Sequence, residues 1–490
     1  MNTLLLQPTD VLFFRDGRPM NGSLAGHTAA WPLPDVTNHA LHAALHRAEL
    51  DKQTGETLHQ HRRRHSGQYS EERDRKFGSL LTAGPFPVDG TDRWFFPRPK
   101  DAQANGSVRV TLCPARSPGK DGDDNPWPGS SLPETLKYAV ANTRPPEKEA
   151  GGEPWISSEA FTAYLRAGGL KHEPGLNEPG RETGAPGDGR HFLRDESIAD
   201  QEANLGIAID PETQTAGQAA AEGKIYTAHY LRLRDGFRLG VFAEAEDKVQ
   251  GDGDQKRDLL QLLFNGRPTQ IVVGGQQRIC SAELKRDQPL PLPLGLNSES
   301  DFAVLGNGKI AVKWVLLSPA VWPELAKGIS KRGTPTRSHP GGWLPNWICP
   351  ETGAVLLRTV GAAERRRRRS LNYAGQGYAT DENAEAIPAR LVAAIVPKPL
   401  VVTGWALPNA ADPDRANDGG AKSTHLAVPA GAVYYFEADS RDAAVALANA
   451  LNWQGSTNGT EIKNRRSTLL GEKGYGLGVC GTWKHFGDVP

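Results

Sequence analysis

The apolar and polar positions along the chain fall into two series of elements. Thr3-Leu-Leu-Leu-Gln-Pro-Thr-Asp-Val-Leu-Phe-Phe14 is a run of strand formers that stops at Arg15-Asp-Gly-Arg-Pro19, where Asp-Gly and Pro supply turn chemistry. After Trp31-Pro-Leu-Pro34, Asp35 is placed to cap a helix whose apolar positions Val36, Ala40, Leu41, Ala44, Leu45 and Ala48 keep the helical period. Pattern returns at Leu205-Gly-Ile-Ala-Ile-Asp210, at Lys224 to Arg234 and at Phe237 to Phe242. The last two, separated by Asp235-Gly236, carry the strongest hairpin signal in the sequence. Gln255 to Phe264 suits a helix, Ile271-Val-Val-Gly274 a strand, and the proline-rich Gln288 to Leu294 a linker. The order strand, helix, two strands, helix, strand is that of one ferredoxin-like unit.

The second series follows the linker. Lys309 to Leu317, Arg390 to Val396, Leu400 to Val402 and Ala432 to Glu437 read as strands. Asp439 is the expected cap of a helix running through Leu451 on Ala443, Val445, Leu447, Ala448 and Leu451. A closing strand, Gly478 to Trp483, is entered through Gly471-Glu-Lys-Gly-Tyr-Gly-Leu-Gly478. The expectation is an α+β protein of tandem ferredoxin-like (RNA-recognition-type) domains, residues 1–287 and 295–490, with large loop insertions. Residues 51–76 are almost wholly polar and residues 99–195 are rich in Gly, Pro and charge, so both are expected as insertions at the surface.

Composition narrows the function. Lys plus Arg and Asp plus Glu balance at 57 each, which excludes an evenly basic coat of the kind that wraps duplex DNA and confines nucleic-acid contact to local patches. Gly (54) and Pro (37) exclude a long coiled coil or a plain helical bundle. No apolar run approaches the roughly 20 residues that span a bilayer, and Met1 to Pro8 lacks the basic start and apolar length of a signal peptide, so a cytoplasmic protein without membrane contact is expected. Cys113, Cys280, Cys349 and Cys480 are far apart, which predicts buried reduced thiols rather than a zinc site or a disulfide framework.

Four glycines in the eight residues Gly471 to Gly478 let a backbone approach a ligand closely and turn its amides toward phosphate, with Lys473 and Tyr475 beside them. A glycine-rich hairpin turn is the structural alternative. Arg465 and Arg466, just upstream, favour an anionic partner. The run Arg365 to Arg369, followed by Tyr373 and Tyr378, is either a solvated basic loop or a weak RNA contact. His39, His42 and His46 share a helix face, and His59, His61 and His65 flank Arg62-Arg-Arg64, but neither set carries a metal-binding pattern. His27 is the one candidate for a lone general base. A Gly-x-Ser-x-Gly elbow and a dinucleotide-binding glycine motif are both missing, so no cofactor is expected and binding outranks catalysis.

Taken together, these motifs resemble a known family. Asp10-Val-Leu-Phe-Phe-Arg-Asp-Gly-Arg-Pro19, Trp31-Pro-Leu-Pro34, Gly206-Ile-Ala-Ile-Asp210, Leu231-Arg-Leu233, Gly274-Gly-Gln-Gln-Arg278, Gly404-Trp405, Val428 to Phe436 and the terminal glycine loop resemble, in order and over nearly the whole chain, the third subunit of the type III-B (Cmr) CRISPR effector, in the RAMP superfamily. The resemblance implies a non-catalytic subunit that binds the 5′ repeat-derived tag of the CRISPR RNA. It would dock the large polymerase-like subunit and a backbone subunit and meet target RNA only indirectly. The RNA contacts it implies are Arg15, Arg18, His27, Arg278, Gly471, Lys473, Gly474, Tyr475, Gly476 and Gly478. An ion pair between Arg15 and Asp16 is the structural alternative for the first loop. Gln276 stands where an acidic residue is expected, which leaves the partner of Arg278 open. Related RAMP proteins cleave CRISPR transcripts without metal, and in that alternative His27 is the base. A protein-binding scaffold is the third reading.

Overall fold

The computed structural model describes residues 1–14, 31–48, 80–102, 110–142 with interruptions, 153–166, 191–207, 214, 225–248, 256–285, 289–329, 335–357, 378–379, 386–406 and 420–484. In chain order the first part contains β1 (Asn2–Pro8), α1 (Pro34–Arg47), β2 (Leu81–Val88), α2 (Ser158–Tyr164), β3 (Ala199–Ile207), β4 (Ile225–Leu233), β5 (Arg238–Glu244), α3 (Leu259–Phe264), β6 (Thr269–Val272) and β7 (Ile279–Lys285). The second contains β8 (Ile310–Leu316), β9 (Ala389–Ile395), β10 (Val433–Ala438), α4 (Arg441–Leu451) and β11 (Gly478–Gly481). The architecture is mixed α/β with antiparallel sheets.

The first sheet has the order β6-β7-β1-β5-β2. Leu4-Leu5-Leu6 places β1 inside it by sending alternate side chains to opposite faces. Leu4 and Leu6 pack with Leu41 and Leu45 of α1 and with Leu260 and Phe264 of α3, whereas Leu5 joins Phe86 and Phe242 on the other side. Asp258 caps α3 by accepting from the Leu260 and Gln261 amides at 2.9 and 3.1 Å.

One sequence expectation fails here, and one strand of the sheet was not foreseen. The Asp235-Gly236 turn does not join paired strands: β4 pairs along its length with β3 in a separate ribbon, and β5 crosses into the sheet between β1 and β2. Leu239, Val241, Phe242 and Ala243 are fully buried, so β5 gains more from two strand neighbours than from a local hairpin. The unforeseen strand is β2, whose pattern Gly84, Pro85 and Pro87 interrupt; it lies at the sheet edge, where a missing N–H is tolerated.

The second sheet has the order β9-β10-β8-β11, with β8 buried along its whole length. Numbering each sheet's strands by chain order and leaving out β6, both follow the order fourth, first, third, second. Ser440, one residue later than expected, caps α4 by accepting from the Ala443 amide at 3.1 Å. Trp314 of β8 donates to the Leu451 carbonyl at 3.1 Å and meets Trp347 and Tyr434 edge-on or tilted at 5.6 and 5.9 Å.

Among the described residues of the stretch expected as a surface insertion, 99–195, several are interior. Trp94, Phe96, Leu112, Leu136, Ile156, Phe161 and Leu165 lie in one apolar cluster with Leu5 and Phe242 of the first sheet and Ala311 and Val315 of the second. Polar groups complete the seal. Lys313 of β8 and Asp101 are both buried and stand 3.6 Å apart, while Tyr435 donates to Asp101 at 3.0 Å and Tyr164 donates to its other oxygen. The Lys313 ammonium also lies 3.7 Å from the centre of the Tyr164 ring. Burial holds the Lys313 pKa below the usual lysine value, partly countered by Asp101. Two residues along the same face of β10, Glu437 accepts from Lys137, Tyr138 and Asn307 at 2.9, 2.9 and 3.1 Å.

Cys280, Cys349 and Cys480 are buried free thiols, and burial pushes Cys280 up to about 12. No helix among the described residues is long and apolar enough to cross a membrane.

Asp101→Asn keeps the shape and strands a buried ammonium. We expect it to cost about 3 kcal/mol in urea unfolding, whereas replacing both partners with apolar residues recovers most of the loss. His339 gives a second test. Its Nδ1 accepts from the Gly341 amide and the Asn346 amide group at 2.9 and 3.0 Å, which leaves Nε2–H to donate to the Ile348 carbonyl at 2.9 Å. Burial lowers its pKa, so the unfolded chain takes up the proton first. Its contribution is complete above pH ~6.5 and is lost as pH falls below that value, so the wild type should lose more denaturant resistance between pH 7.5 and 5 than His339→Gln does.

Candidate nucleic-acid interface

The terminal glycine loop is a turn of 3-10 helix, Gly471–Lys473, between the left-handed residues Leu470 and Gly474. Its glycines serve contacts within the protein. At Gly474 (φ +92°) a Cβ would stand 2.6 Å from the Thr82 carbonyl oxygen of β2, and at Gly476 (φ +78°) one would stand 2.0 Å from the Ser467 nitrogen. The Lys473, Gly474 and Tyr475 amides donate to Leu470, Gly471 and Leu470 carbonyls, and the Gly476 amide donates to that of Pro319 at 2.7 Å. The amides of residues 473–476 are therefore engaged within the protein. Close approach of the chain to β2 is what required glycine.

Tyr475 also departs from expectation. Its ring is fully buried and its hydroxyl donates to Asp35 of α1 at 2.9 Å, so it presents no face for a base to stack on. Arg466 is buried as well and donates to the Ala450 carbonyl at the end of α4, where its charge meets the negative end of the helix. It is a helix cap rather than an anion site.

What remains outward at this seam is side-chain charge. Lys473 donates to His39 Nε2 at 3.0 Å, and Lys422 lies close enough to depress the pKa of both. Desolvation and the Lys473 ammonium hold His39 below the usual imidazole value, against the pull of Asp35. The loop thus joins α1 and β2 of the first sheet to the second unit, with Lys473, His39 and Lys422 grouped where they meet. Neither Lys422 nor the pairing of His39 with Lys473 is announced by spacing, because the partners are hundreds of residues apart. The triplet of histidines on α1 was the one hint in the sequence.

Arg278 lies at a second place, in the turn between β6 and β7. Its guanidinium stands 4.9 Å from the centre of the Tyr230 ring on β4, its Nη2 donates to Gln276 Oε1 at 3.3 Å, and its Nη1 is 3.8 Å from Asp10. Asp10, held below the usual carboxylate range by its hydrogen bond to Arg232, supplies the acid that residue 276 lacks. Arg15, Arg18 and His27 lie outside the described residues, as do His59, His61, His65 and Arg365 to Arg369. Among the described residues, no group of three or more His, Cys, Asp or Glu is placed to hold a metal ion.

Two substitutions separate the loop's roles. Gly474→Ala should expose residues 465–478 to proteolysis or amide exchange by about 1–3 kcal/mol, whereas Gly471→Ala, whose Cβ would meet nothing nearer than 3.7 Å, should change little. Tyr475→Phe should open the same segment by about 1 kcal/mol through loss of the Asp35 bond.

Comparison with known proteins gives a family match and distant structural likenesses. The family model described as CRISPR-associated protein (Cas_Cmr3) matches residues 4–483. A chain of the type III-B Cmr-beta complex bound to cognate target RNA and AMPPnP is 12% identical, with 88% of this chain and 86% of that chain covered and a TM-score of 0.37. One from Cmr-beta bound to cognate target RNA has the same identity and coverage and a TM-score of 0.35. A chain of the Csm3-Csm4 subcomplex of the type III-A interference complex is 8% identical, with 89% and 92% covered and a TM-score of 0.33. No curated protein matches.

Proposed function

Since the chain belongs to the CRISPR-associated Cas_Cmr3 family, we propose that it is a non-catalytic, guide-RNA-binding subunit of a type III-B RNA-targeting effector. In this reading it holds the 5′ repeat-derived tag of the CRISPR RNA and docks the large polymerase-like subunit and a backbone subunit. The observation that carries the reading is the family match from residue 4 to residue 483. We read the two sheets as tandem ferredoxin-like domains meeting near residues 287–295, a reading supported by their common strand order and by the helices α1, α3 and α4 between strands.

The seam of Lys473, His39 and Lys422 suits a phosphate backbone. It carries two ammonium groups and an imidazole on rigid supports, which fix the register of a strand without reading its bases. With the amides of residues 473–476 engaged within the protein, the Lys473 side chain is the charge that the glycine loop brings to this seam.

The test is purification of the assembled complex from cells carrying the whole CRISPR locus, with sequencing of the bound RNA and ultraviolet crosslinking. Short RNAs sharing a 5′ tag, crosslinked at α1 and residues 471–478, are expected. Lys473→Ala with Lys422→Ala should weaken RNA binding about tenfold and flatten its log–log salt dependence by roughly 1.4, about 0.7 for each single-strand phosphate no longer neutralised. Assembly without RNA, insensitive to salt, would leave a protein scaffold instead.

A further inference from the structure

The turn between β6 and β7 is built in a way that phosphate binding does not explain. Gln276 and Gln277 both have φ of +53°, two successive non-glycine residues in the left-handed region, next to Gly274 at +80°. Such backbone is costly and persists where the surroundings impose it. Here they do: the Gly275 amide donates to the Phe13 carbonyl at 2.9 Å, and a Cβ on Gly274 would stand 2.6 Å from the same oxygen. The turn is thereby pressed against the end of the segment Asp10 to Phe14, from which the chain passes directly into the Arg15 to Pro19 motif.

What the turn holds is a cluster of planar groups. The Phe13 and Tyr230 rings are 5.5 Å apart and tilted by 47°, and the Arg278 guanidinium lies over the Tyr230 ring, 4.9 Å from its centre. Gln276 Oε1 accepts from the Tyr230 hydroxyl at 2.8 Å and from Arg278 at 3.3 Å, so a single amide sets the position of both. Tyr230 is 8% exposed and the Arg278 side chain 29%. The guanidinium is therefore the more exposed member of the pair. Its charge is already faced by Asp10 at 3.8 Å, which makes it a poor added counterion for phosphate but leaves its planar face unchanged.

We propose that Arg278 is a base-stacking platform, on which one unpaired nucleobase of the bound RNA packs against the guanidinium that Tyr230 backs. This rests on the RNA-binding reading given above. Tyr230 and Gln276 are positioning residues in it, acting through Arg278. The contact tolerates any base, because every base has a π face.

Binding of a short single-stranded RNA with the copurified 5′ sequence to the assembled complex tests this. Arg278→Lys keeps the charge and removes the plane, and should lower affinity about 5- to 100-fold, the range of one stacked base, with the salt dependence unchanged. Tyr230→Leu should do the same, and Tyr230→Phe, which keeps the ring and loses the hydroxyl's bond to Gln276, should lower affinity by less. In a set of RNAs carrying one abasic ribose each, one position should weaken wild-type binding by a similar factor and add nothing to Arg278→Lys. The RNA set needs no altered protein, so it stands even if a variant folds poorly. If Arg278→Lys binds like the wild type while Arg278→Ala flattens the salt dependence by about 0.7, Arg278 is a phosphate contact and the platform is wrong. Indifference to every abasic position also overturns it. A wild-type complex that binds no RNA removes the platform and the proposed function together.

Discussion

The ammonium of Lys313 sits in the middle of a sheet with almost no exposure, and the second unit is organised around that fact. A charge taken out of water needs both a counter-charge and hydrogen bonds, and Asp101 with Tyr164 and Tyr435 supply them. Asp101 and Tyr164 come from the segment between the two sheets, so satisfying one lysine fixes where that segment lies. Once it is there, Phe161 and Leu165 fill the space beside the polar group, and the sheet face bearing Lys313, Tyr435 and Glu437 is closed. In RNA-recognition folds an open sheet face with aromatic residues is the usual surface for bases. Here that face is interior, which moves any contact with nucleic acid to loops and seams.

The glycine loop shows the same economy. Its backbone is committed to β2, to Pro319 and to its own turn, and its tyrosine to Asp35. The loop is thereby held against β2 and α1, and it carries Lys473 to His39. Positive φ at Gly474 and Gly476 is the geometric condition for that placement, since a side chain at either position would force the loop away from its supports.

The sequence carried β1, β8 and β10 well, because each holds an apolar run, leucines in β1 and β-branched or aromatic residues in β8 and β10, and such runs are legible in a short window. It misled where a local signal competed with a distant one. Asp235-Gly236 has the chemistry of a hairpin turn, yet the burial available to β5 between two strands outweighed it. Leu81–Val88 was hidden by its prolines, whose meaning as edge-strand residues depends on a neighbour arrangement that no short window contains. Asp101 lies in the Gly-, Pro- and charge-rich stretch expected at the surface, and only the lysine opposite gives it a role. At the interface, the glycine loop nominated Lys473 and the family resemblance Arg278, but their pairing with His39, Lys422, Asp10 and Tyr230, and that of Tyr475 with Asp35, entered only through folding.

The bond between Tyr475 and Asp35 joins residues 440 positions apart. Chains emerge from the ribosome N-terminus first, so α1 is made long before the loop that completes its outward face. A partly synthesised or C-terminally clipped molecule would carry His39 without Lys473, and its first sheet would lack the clasp that braces β2. The seam thus joins two parts of the chain made at different times: a polypeptide without residues 471–478 has neither the Tyr475 bond to Asp35 nor the Lys473 bond to His39.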